Sequence, residues 1–225
     1  MKNLVVLSGA GMSAESGIST FRDSGGLWES YDVMKVASIE GWYEDPELIL
    51  RFYNERRRQL KDCQPNKGHL ILAEMEKYYQ ISVITQNVDN LHERAGSSRV
   101  IHLHGELTKA CSSVNKELVY DIGYEDINPE DKAEDGSRLR PFIVWFGEPV
   151  PMIEQAARIV SKADTLVIIG TSLQVYPAAG LLNYAPVGIP IYLIDPNEVK
   201  SKPGVKVIQE KASVGLQILK EELIK

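Results

Sequence analysis

Short apolar runs recur along the chain, and we predict that each forms a buried β-strand. Continuous runs of this length are typical of strands that are covered on both faces. They are Leu4–Leu7, Ile81–Ile84, Val100–Leu103, Thr165–Ile169 and Ile191–Ile194. Stretches with apolar residues at helical spacing lie among them, at Pro46–Lys61, Asn66–Tyr78, Pro151–Ala163 and Ser213–Ile224. This alternation predicts an α/β fold with a parallel, doubly wound sheet.

The helical patterns also predict which residues enter the core. On the second helix we expect Leu70, Ala73 and either Met75 or Tyr78 to be buried. The last helix is amphipathic, and we interpret it as a packing helix rather than a partner-binding one. Its apolar positions are Leu216, Leu219 and Leu223. Residues 108–138 differ in character, because charged residues and turn signals such as Gly136-Ser137 predominate there.

Composition narrows the class of protein. The 225 residues are 44% apolar and 25% charged, which fits a globular protein with a substantial core. A net charge of −6 gives no general attraction to nucleic acid or anionic membranes. No apolar run approaches the roughly 20 residues that span a bilayer. Because a strand is predicted from Leu4, we expect no targeting peptide. Because Cys63 and Cys111 are far apart, we expect reduced thiols and a cytoplasmic location, and we leave the oligomeric state open.

A glycine-rich turn follows the first predicted strand. Gly9-x-Gly11-x-x-Ala14 stands where a nucleotide-binding loop of a parallel sheet would stand, and glycine lets the backbone approach a phosphate closely. By itself the pattern also fits an ordinary tight turn. The acidic residue that a dehydrogenase places about 20 positions later is not clear here.

Polar residues follow two further predicted strands. Gln86-Asn87-x-Asp89 comes after the strand Ile81–Ile84, at the edge of the sheet where ligands bind. By residue type alone, a turn with a helix cap is the simpler interpretation. His102 and His104 face the same way on a strand, and no nearby ligand set completes a metal site. Taken alone, each histidine is more simply structural.

Several longer blocks carry a family resemblance. Gly9-Ala-Gly-Met-Ser-Ala-Glu-Ser-Gly-Ile-Ser-Thr-Phe-Arg22 closely resembles the NAD-binding signature of the sirtuins, the NAD-dependent protein deacylases. The resemblance continues, in family order, at Thr85–His92, Ile101–Glu106, Leu139–Glu148 and Gly170–Ala178.

The resemblance implies a domain organisation and a cofactor site. Residues 1–28, 66–107 and 142–225 would form a Rossmann-like NAD-binding domain, and 29–65 and 108–141 a small domain. In the first loop the implied NAD contacts are Gly9, Ala10, Gly11, Ser13, Ala14, Glu15, Gly17, Ile18, Phe21, Arg22 and Trp28. Further along they are Gln86, Asn87, Asp89, Gly170, Thr171, Ser172, Asp195, Pro196, Asn197 and Ala212. Asp195 departs from the asparagine that sirtuins often have, but a carboxylate also accepts a ribose hydroxyl.

The resemblance also implies the chemistry. The amide oxygen of an acyl-lysine attacks C1′ of the nicotinamide ribose, nicotinamide leaves, and water finally gives lysine and O-acyl-ADP-ribose. His104 would be the general base, because imidazole titrates near neutrality, and Gln86 and Asn87 would act beside it. The acyl-lysine protein or peptide would pair as an added strand with one segment. That segment comprises Val144, Trp145, Phe146, Gly147 and Glu148.

The structural zinc of sirtuins is not expected here. Sirtuins usually bind it with two Cys-x-x-Cys pairs, but Cys111 is followed at the third position by Val114. The second pair falls near Lys132 and Asp135. One thiol and one carboxylate do not complete a tetrahedral site, so we predict no metal. Our hypothesis is that apolar packing replaces it, through Leu118, Val119, Tyr120 and Ile122.

The substrate class depends on Tyr53 and Arg56. By residue type, Arg56-Arg57-Arg58 is a solvated basic patch. However, Tyr53-x-x-Arg56, with a small residue at Ala37, is similar to the sirtuin subgroup that removes succinyl and malonyl groups. There the tyrosine and arginine bind the distal carboxylate, which a guanidinium pairs with bidentately. The alternatives are a plain deacetylase, an ADP-ribosyltransferase and a non-catalytic NAD-binding module.

Overall fold

A computed structural model describes residues 1–18, 31–171, 175–199 and 204–224. Its strands are β1 (Asn3–Ser8), β2 (Gln80–Thr85), β3 (Val100–His102), β4 (Gly105–Ser112), β5 (Val119–Asp121), β6 (Leu139–Ile143), β7 (Thr165–Ile169), β8 (Ile191–Ile194) and β9 (Val205–Ile208). Its α-helices are α1 (Val33–Val36), α2 (Ile39–Glu44), α3 (Pro46–Asp62), α4 (Lys67–Met75), α5 (Leu91–Ala95), α6 (Ile153–Val160) and α7 (Ala212–Leu223).

The main sheet has six strands in the order β3-β2-β1-β7-β8-β9, and all of its pairings are parallel. The predicted parallel α/β sheet is therefore confirmed, with all five predicted strands in it. Sequence patterning missed β9, an edge strand whose burial does not follow a continuous apolar run. The chain moves outward from β1 on one side to β2 and β3, and on the other side through β7. This reversal creates a switch point between β1 and β7, where parallel sheets bind ligands.

Helices cover both faces of this sheet. Along β1, Leu4 and Val6 belong to one core cluster with helices α4 and α7, whereas Val5 and Leu7 belong to another with α6. Alternate residues of a strand point to opposite faces, so an unbroken apolar run supplies both cores.

The four predicted long helices are present, but on one of them, α4, the buried face differs from the predicted one. Leu216 and Leu219 are fully buried on α7, as predicted, and Leu223 packs against the same core. On α4, Ile71, Leu72 and Met75 form the buried face, while Leu70 and Tyr78 are about half exposed. The helix therefore presents a face rotated by about one residue from the predicted one.

A smaller three-stranded antiparallel sheet, in the order β5-β4-β6, lies beside helices α1 to α3. Their apolar side chains form a third core cluster that includes Trp42, Phe52, Tyr53 and Trp145. The exact division of the chain into two domains stays a prediction. Within the described residues, no helix has the length and apolarity needed to cross a bilayer.

A hydrogen-bonded cluster occupies the place expected for the zinc-binding turns. Ser112 Oγ donates to Asp135 Oδ2 at 2.6 Å and lies 2.8 Å from Ser137 Oγ. The backbone amides of Val114 and Asn115 donate to the same Ser112 oxygen. Hydrogen bonds from Ser112 and Ser137 hold the pKa of Asp135 below its usual value. A polar cluster centred on Ser112 thus joins the two turns.

The apolar-packing hypothesis for this region is wrong for most of its residues. Val119 is 40% exposed, and the Tyr120 hydroxyl accepts a hydrogen bond from the Glu134 amide. Of the four residues, Ile122 alone packs against the third core.

One cysteine lies at the place expected for the zinc-binding turns. Cys111 is buried, and burial raises the pKa of its thiol. Among the described residues, no group of three or more His, Cys, Asp and Glu side chains is arranged to hold a metal; the absence of zinc itself stays a prediction.

We expect Ser112→Ala to destabilise the protein by about 1–3 kcal/mol, because two backbone amides and a carboxylate lose their shared partner. Urea unfolding of the full chain measures this difference. Ser113→Ala, at the adjacent position, is the matched control and should change the stability by less than about 0.5 kcal/mol. Equal effects of the two substitutions would contradict the role given to Ser112.

Candidate functional site

The loops that follow β1 and β7 are bonded to each other at the switch point. Gly9 N donates to Ile169 O at 3.0 Å, and Gly11 N donates to Gly170 O at 2.9 Å. A Cβ on Gly9 would lie 2.7 Å from Gly170 O, and one on Gly11 would lie 2.7 Å from Gly170 Cα. Gly170 itself has a φ of +60°. The glycine pattern is therefore required for this close packing of loop on loop.

This packing changes the role expected for two of the glycines. The pattern predicts a backbone that can approach a phosphate, but the Gly9 and Gly11 amides themselves both donate within the protein. The loop continues as two short 3₁₀ turns, Ala10–Met12 and Ala14–Ser16, and Gly17 ends the second with a φ of +86°. Ile18 packs against the third core.

A buried polar network joins this loop to the loop after β2. Asn87 Nδ2 donates to Gly9 O at 3.0 Å and to Ser13 Oγ at 3.1 Å. Ser13 Oγ donates to Asp89 Oδ2 at 2.9 Å. Burial raises the pKa of Asp89 although Leu91 N and Ser13 donate to it. Asn87, Ser13 and Asp89, separated in sequence, thus form one rigid cluster.

Gln86 extends the network to the other side of the switch point. Its Nε2 donates to Thr171 Oγ1 at 3.0 Å, so the loops after β2 and β7 meet. The sequence placed Gln86, Asn87, Asp89, Ser13, Gly170 and Thr171 in one site, and the structure brings them together. Phe21, Arg22, Trp28 and Ser172 lie outside the described residues.

His104 lies next to this cluster with its ring orientation fixed. Its Nδ1 lies 3.1 Å from Gln86 O. A carbonyl oxygen only accepts, so Nδ1 carries the proton and Nε2 has a free lone pair. Burial lowers the pKa of His104, which keeps the ring neutral at pH 7. The next residue must be glycine, because Gly105 has a φ of +83° and a Cβ there would lie 2.0 Å from Phe142 O.

The predicted adenosine-side residues are more widely spread. Asp195 follows β8, is mostly buried, and accepts a hydrogen bond from Asn197 N on Oδ1 at 2.9 Å. Pro196 and Asn197 are exposed beside it, and Ala212 is buried at the start of α7. Glu15 has a role the sequence did not reveal: its carboxylate accepts from Ser213 N and Oγ, and so caps α7.

These residues fit a dinucleotide. A carboxylate after β8, amide side chains after β2 and a close-packed glycine loop after β1 lie along one edge of the sheet. That is the donor and acceptor set that ribose hydroxyls and a nicotinamide amide require.

Tyr53 and Arg56 stand one turn apart on α3. The Tyr53 hydroxyl accepts a hydrogen bond from Trp145 Nε1 at 2.9 Å, and burial raises the pKa of the phenol, so it stays protonated. Arg56 is partly buried, with its guanidinium carbon 5.4 Å from the centre of the Phe52 ring. Within the described residues, its ion pair joins Nη2 to Glu55 Oε2 at 3.9 Å. Among the described residues, Arg56 Nε is buried without a hydrogen-bond partner.

The segment 144–148 runs between His104 and Ala37. Val144 N donates to His104 O, and Phe146 N donates to Ala37 O, each at 2.9 Å. Phe146 is 43% exposed, whereas Trp145 is buried. Gly147 has a φ of +88°, and a Cβ there would lie 2.8 Å from Ile39 Cγ2.

Glu148 lies in the segment that is predicted to pair with substrate through its backbone, and its side chain is 4% exposed and fully engaged inside the protein. Arg140 donates to both of its oxygens, at 2.7 and 3.1 Å, and Trp145 N donates to Oε2. Lys116 also pairs with it at 2.6 Å. The carboxylate therefore has a structural role: it fixes the turn that presents Phe146.

Comparisons with known proteins agree with this geometry. A model of the Sir2 family matches residues 9–177. An NAD-dependent protein deacylase of Bacteroides thetaiotaomicron is 59% identical, with 100% of this chain and 99% of that protein covered. One of Helicobacter pylori is 55% identical, with 100% and 96% covered.

Solved structures resemble the chain over nearly all of its length. A Sir2 homologue in complex with ADP-ribose has a TM-score of 0.89 at 38% identity, with 99% of this chain and 94% of that one covered. A Sir2 homolog–NAD complex has a TM-score of 0.87 at 38% identity, with 99% and 90% covered. A Sir2 structure with deacetylated p53 peptide and 3′-O-acetyl ADP-ribose has a TM-score of 0.82 at 30% identity, with 98% and 93% covered.

Two buried imidazoles lie beneath the site, and no sequence pattern predicts their pairing. The rings of His69 and His92 are 4.8 Å apart in a T-shaped contact, and both residues are fully buried. His69 Nδ1 accepts from Asn66 N, and His92 Nε2 lies 3.2 Å from Ser8 Oγ. Burial lowers the pKa of His69 to about 4 and that of His92 well below its ordinary value. Both rings are therefore neutral in the folded protein.

This pair predicts acid sensitivity. An unfolded histidine binds its proton near pH 6.5, but folded His69 binds it only near pH 4. Between these values the unfolded chain holds more protons, so stability falls as the pH falls. For His69 alone we expect a loss of about 2 kcal/mol between pH 7 and pH 5. Urea unfolding at both pH values measures it. His69→Gln, which keeps an acceptor near Asn66 N, should reduce this loss of stability by about the same amount. An unchanged loss in the variant would contradict the role given to His69.

Proposed function

Because the chain belongs to the Sir2 family, we propose that this NAD-dependent protein deacylase acts mainly on lysines with acidic acyl groups, succinyl and malonyl, and less on acetyl-lysine. The observation that supports the acidic preference is the Arg56 guanidinium: it is partly buried, and the nearest carboxylate among the described residues is 3.9 Å away. A ligand carboxylate would provide the partner that this charge lacks among the described residues.

The loop 86–89 would hold the nicotinamide ribose end of NAD. The side chains of Gln86 and Asn87 offer amide donors and acceptors at the switch point, and Asn87 and Ser13 are locked to Asp89. Bound NAD supplies a ribose that accepts the acyl group as nicotinamide leaves. The protein's part is to orient that ribose and to keep water away from it until the acyl oxygen is in place.

His104 would accept the proton of a ribose hydroxyl through Nε2. The Nδ1–H bond to Gln86 O fixes the tautomer, which leaves the basic nitrogen on the opposite side of the ring. A neutral imidazole is ready to act as a base without first losing a proton.

The acylated peptide would lie along segment 144–148. Phe146 already pairs with the backbone around Ser38, its side chain is partly exposed, and Val144 is bonded to His104 O. Backbone pairing at this position would bring the lysine beside the catalytic histidine while it tolerates different flanking residues.

The acyl group would then reach α3, where two donors are available. Arg56 provides a guanidinium, and Tyr53 retains its hydroxyl proton because burial raises the pKa of the phenol, although its oxygen also accepts a hydrogen bond from Trp145. A planar guanidinium pairs with a carboxylate through two hydrogen bonds, and a neutral acetyl group gains nothing from it. Ala37 has a small side chain, which leaves space for the longer acyl groups.

His104→Ala should abolish turnover on every acyl peptide. In the wild type, the acid limb of kcat/KM should have its midpoint below pH 6.5, because burial lowers the pKa of the base and keeps it unprotonated at lower pH. A pH profile from 5 to 9 measures this. An acid limb centred above pH 7 would contradict the assignment.

Arg56→Met should reduce kcat/KM for a succinyl-lysine peptide by about 30-fold or more, which corresponds to about 2–5 kcal/mol for a buried charge partner. The acetyl-lysine peptide of the same sequence should change by less than about threefold. The matched control is Arg58→Met on the same helix, because Arg58 is mainly exposed and pairs with Asp126 at 2.6 Å. Equal losses of kcat/KM on the two peptides would refute the proposal that Arg56 binds the carboxylate of the acyl group.

A further inference from the structure

His102 makes two hydrogen bonds with acceptors only. Its Nδ1 lies 2.9 Å from Asn87 O, and its Nε2 lies 2.8 Å from Glu93 Oε1. The imidazole side chain is 7% exposed, whereas that of Glu93 is 40% exposed. Neither residue belongs to the polar cluster around Asn87 and Ser13, and no step of the deacylation uses them.

These two bonds define the protonation state. A carbonyl oxygen cannot donate, so Nδ1 carries a proton. An ionised carboxylate cannot donate either, so Nε2 carries one as well. At pH values below its pKa, His102 is thus an imidazolium, in contrast to His104, for whose Nε2 the described part of the chain provides no such hydrogen-bonded carboxylate.

The charged surroundings agree with this state. Burial by itself lowers the pKa of His102, but the hydrogen bond and charge of Glu93 on α5, together with the bond to Asn87 O and the charge of Glu106 on β4, outweigh it, and the pKa is raised. Asp89 in the loop and His92 on α5 also face it, the latter as a neutral ring. Lys109, next to Glu106, interacts with Glu93 from the other side.

The acceptor of the Nδ1 bond lies in the loop that carries the cofactor-binding side chains. His104 Nδ1 donates to Gln86 O, His102 Nδ1 to Asn87 O, and Leu107 N to Val88 O. Three successive carbonyls of the loop are therefore held by the strand segment 102–107. His102 is the one of these donors that is itself anchored by an ion pair.

We propose that the His102–Glu93 ion pair positions the cofactor loop for deacylation. It holds the backbone at Asn87 and thereby aligns the side chains of Gln86, Asn87 and Asp89. When His102 loses its proton, the pair releases this loop. Deprotonation would direct the Nε2 lone pair at the Glu93 carboxylate, and the repulsion would turn the ring away from Asn87 O. Since His102 touches no reacting atom, it is a positioning residue. The inference rests on NAD-dependent deacylation and not on the acidic-acyl preference.

The kinetic test uses the full chain with an acetyl- and a succinyl-lysine peptide, between pH 6 and 10. The wild-type kcat should have an alkaline limb on both peptides. In Glu93→Gln this limb should disappear, because the amide can donate to a neutral Nε2 and hold the ring in the same position. His102→Gln should lower kcat by about tenfold or more at pH 7.5, without that limb and with peptide KM nearly unchanged.

The matched control is Glu106→Gln, which removes a nearby charge but keeps the hydrogen bond between His102 and Glu93. The alkaline limb of its kcat profile should stay within about half a pH unit of the wild type.

A second measurement is independent of turnover. NMR titration of the His102 ring in the wild type should give a midpoint above pH 6.5, and Glu93→Gln should lower this midpoint. A wild-type profile without an alkaline limb, a limb that Glu93→Gln leaves in place, or a His102 midpoint at or below 6.5 would overturn the proposal. Loss of the acid preference alone, with these pH effects intact, would refute only the proposed substrate class.

Discussion

The close contact between the loops after β1 and β7 is the constraint on which the site depends. Gly9 and Gly11 approach Gly170 so closely that a Cβ on either would overlap the opposing backbone. This contact brings Ser13 to Asn87 and places Thr171 beside Gln86. The glycines therefore allow the two loops to pack closely, and they affect a ligand only through the loop positions that this packing sets.

Charge distribution separates structural residues from functional ones. Arg140 and Glu148 form a buried bidentate pair whose guanidinium also lies 3.5 Å from the centre of the Trp145 ring. A desolvated charge with all of its partners supplied is a fixed part of the fold. Arg56 is partly buried too, yet in the part of the chain that the structure describes its nearest carboxylate is 3.9 Å away. That difference, rather than residue type, separates an arginine that supports a turn from the arginine that we propose binds a substrate carboxylate.

Periodicity predicted the main sheet well, because its strands are buried on both faces and follow local hydrophobicity. The small sheet was not resolved into strands, since β5 has an exposed-intermediate-exposed pattern and β4 is irregular in its pairing with β6. Site residues such as Gln86, Asn87 and His104 came from motif resemblance. The hydrogen bonds that set the protonation of the histidines could not be predicted in this way. They join the Gln86 and Asn87 carbonyls to histidines that are 18 and 15 residues away in the chain. Glu15 and Glu148 show the limit of motif transfer, since both carboxylates have structural partners.

Polar groups also position the helix that carries Tyr53 and Arg56. Between them in sequence, Asn54 forms two hydrogen bonds with the backbone of Ile127. Arg57 is fully buried, and it donates to Leu107 O on β4 and to Asn54 Oδ1. Burial lowers the pKa of Arg57 to about 10, so it stays charged at neutral pH. Because Leu107 N in turn donates to Val88 O, α3 is connected through one strand residue to the loop that carries Asn87 and Asp89. The helix that carries Tyr53 and Arg56 and the proposed cofactor loop are therefore both hydrogen-bonded to Leu107 of β4.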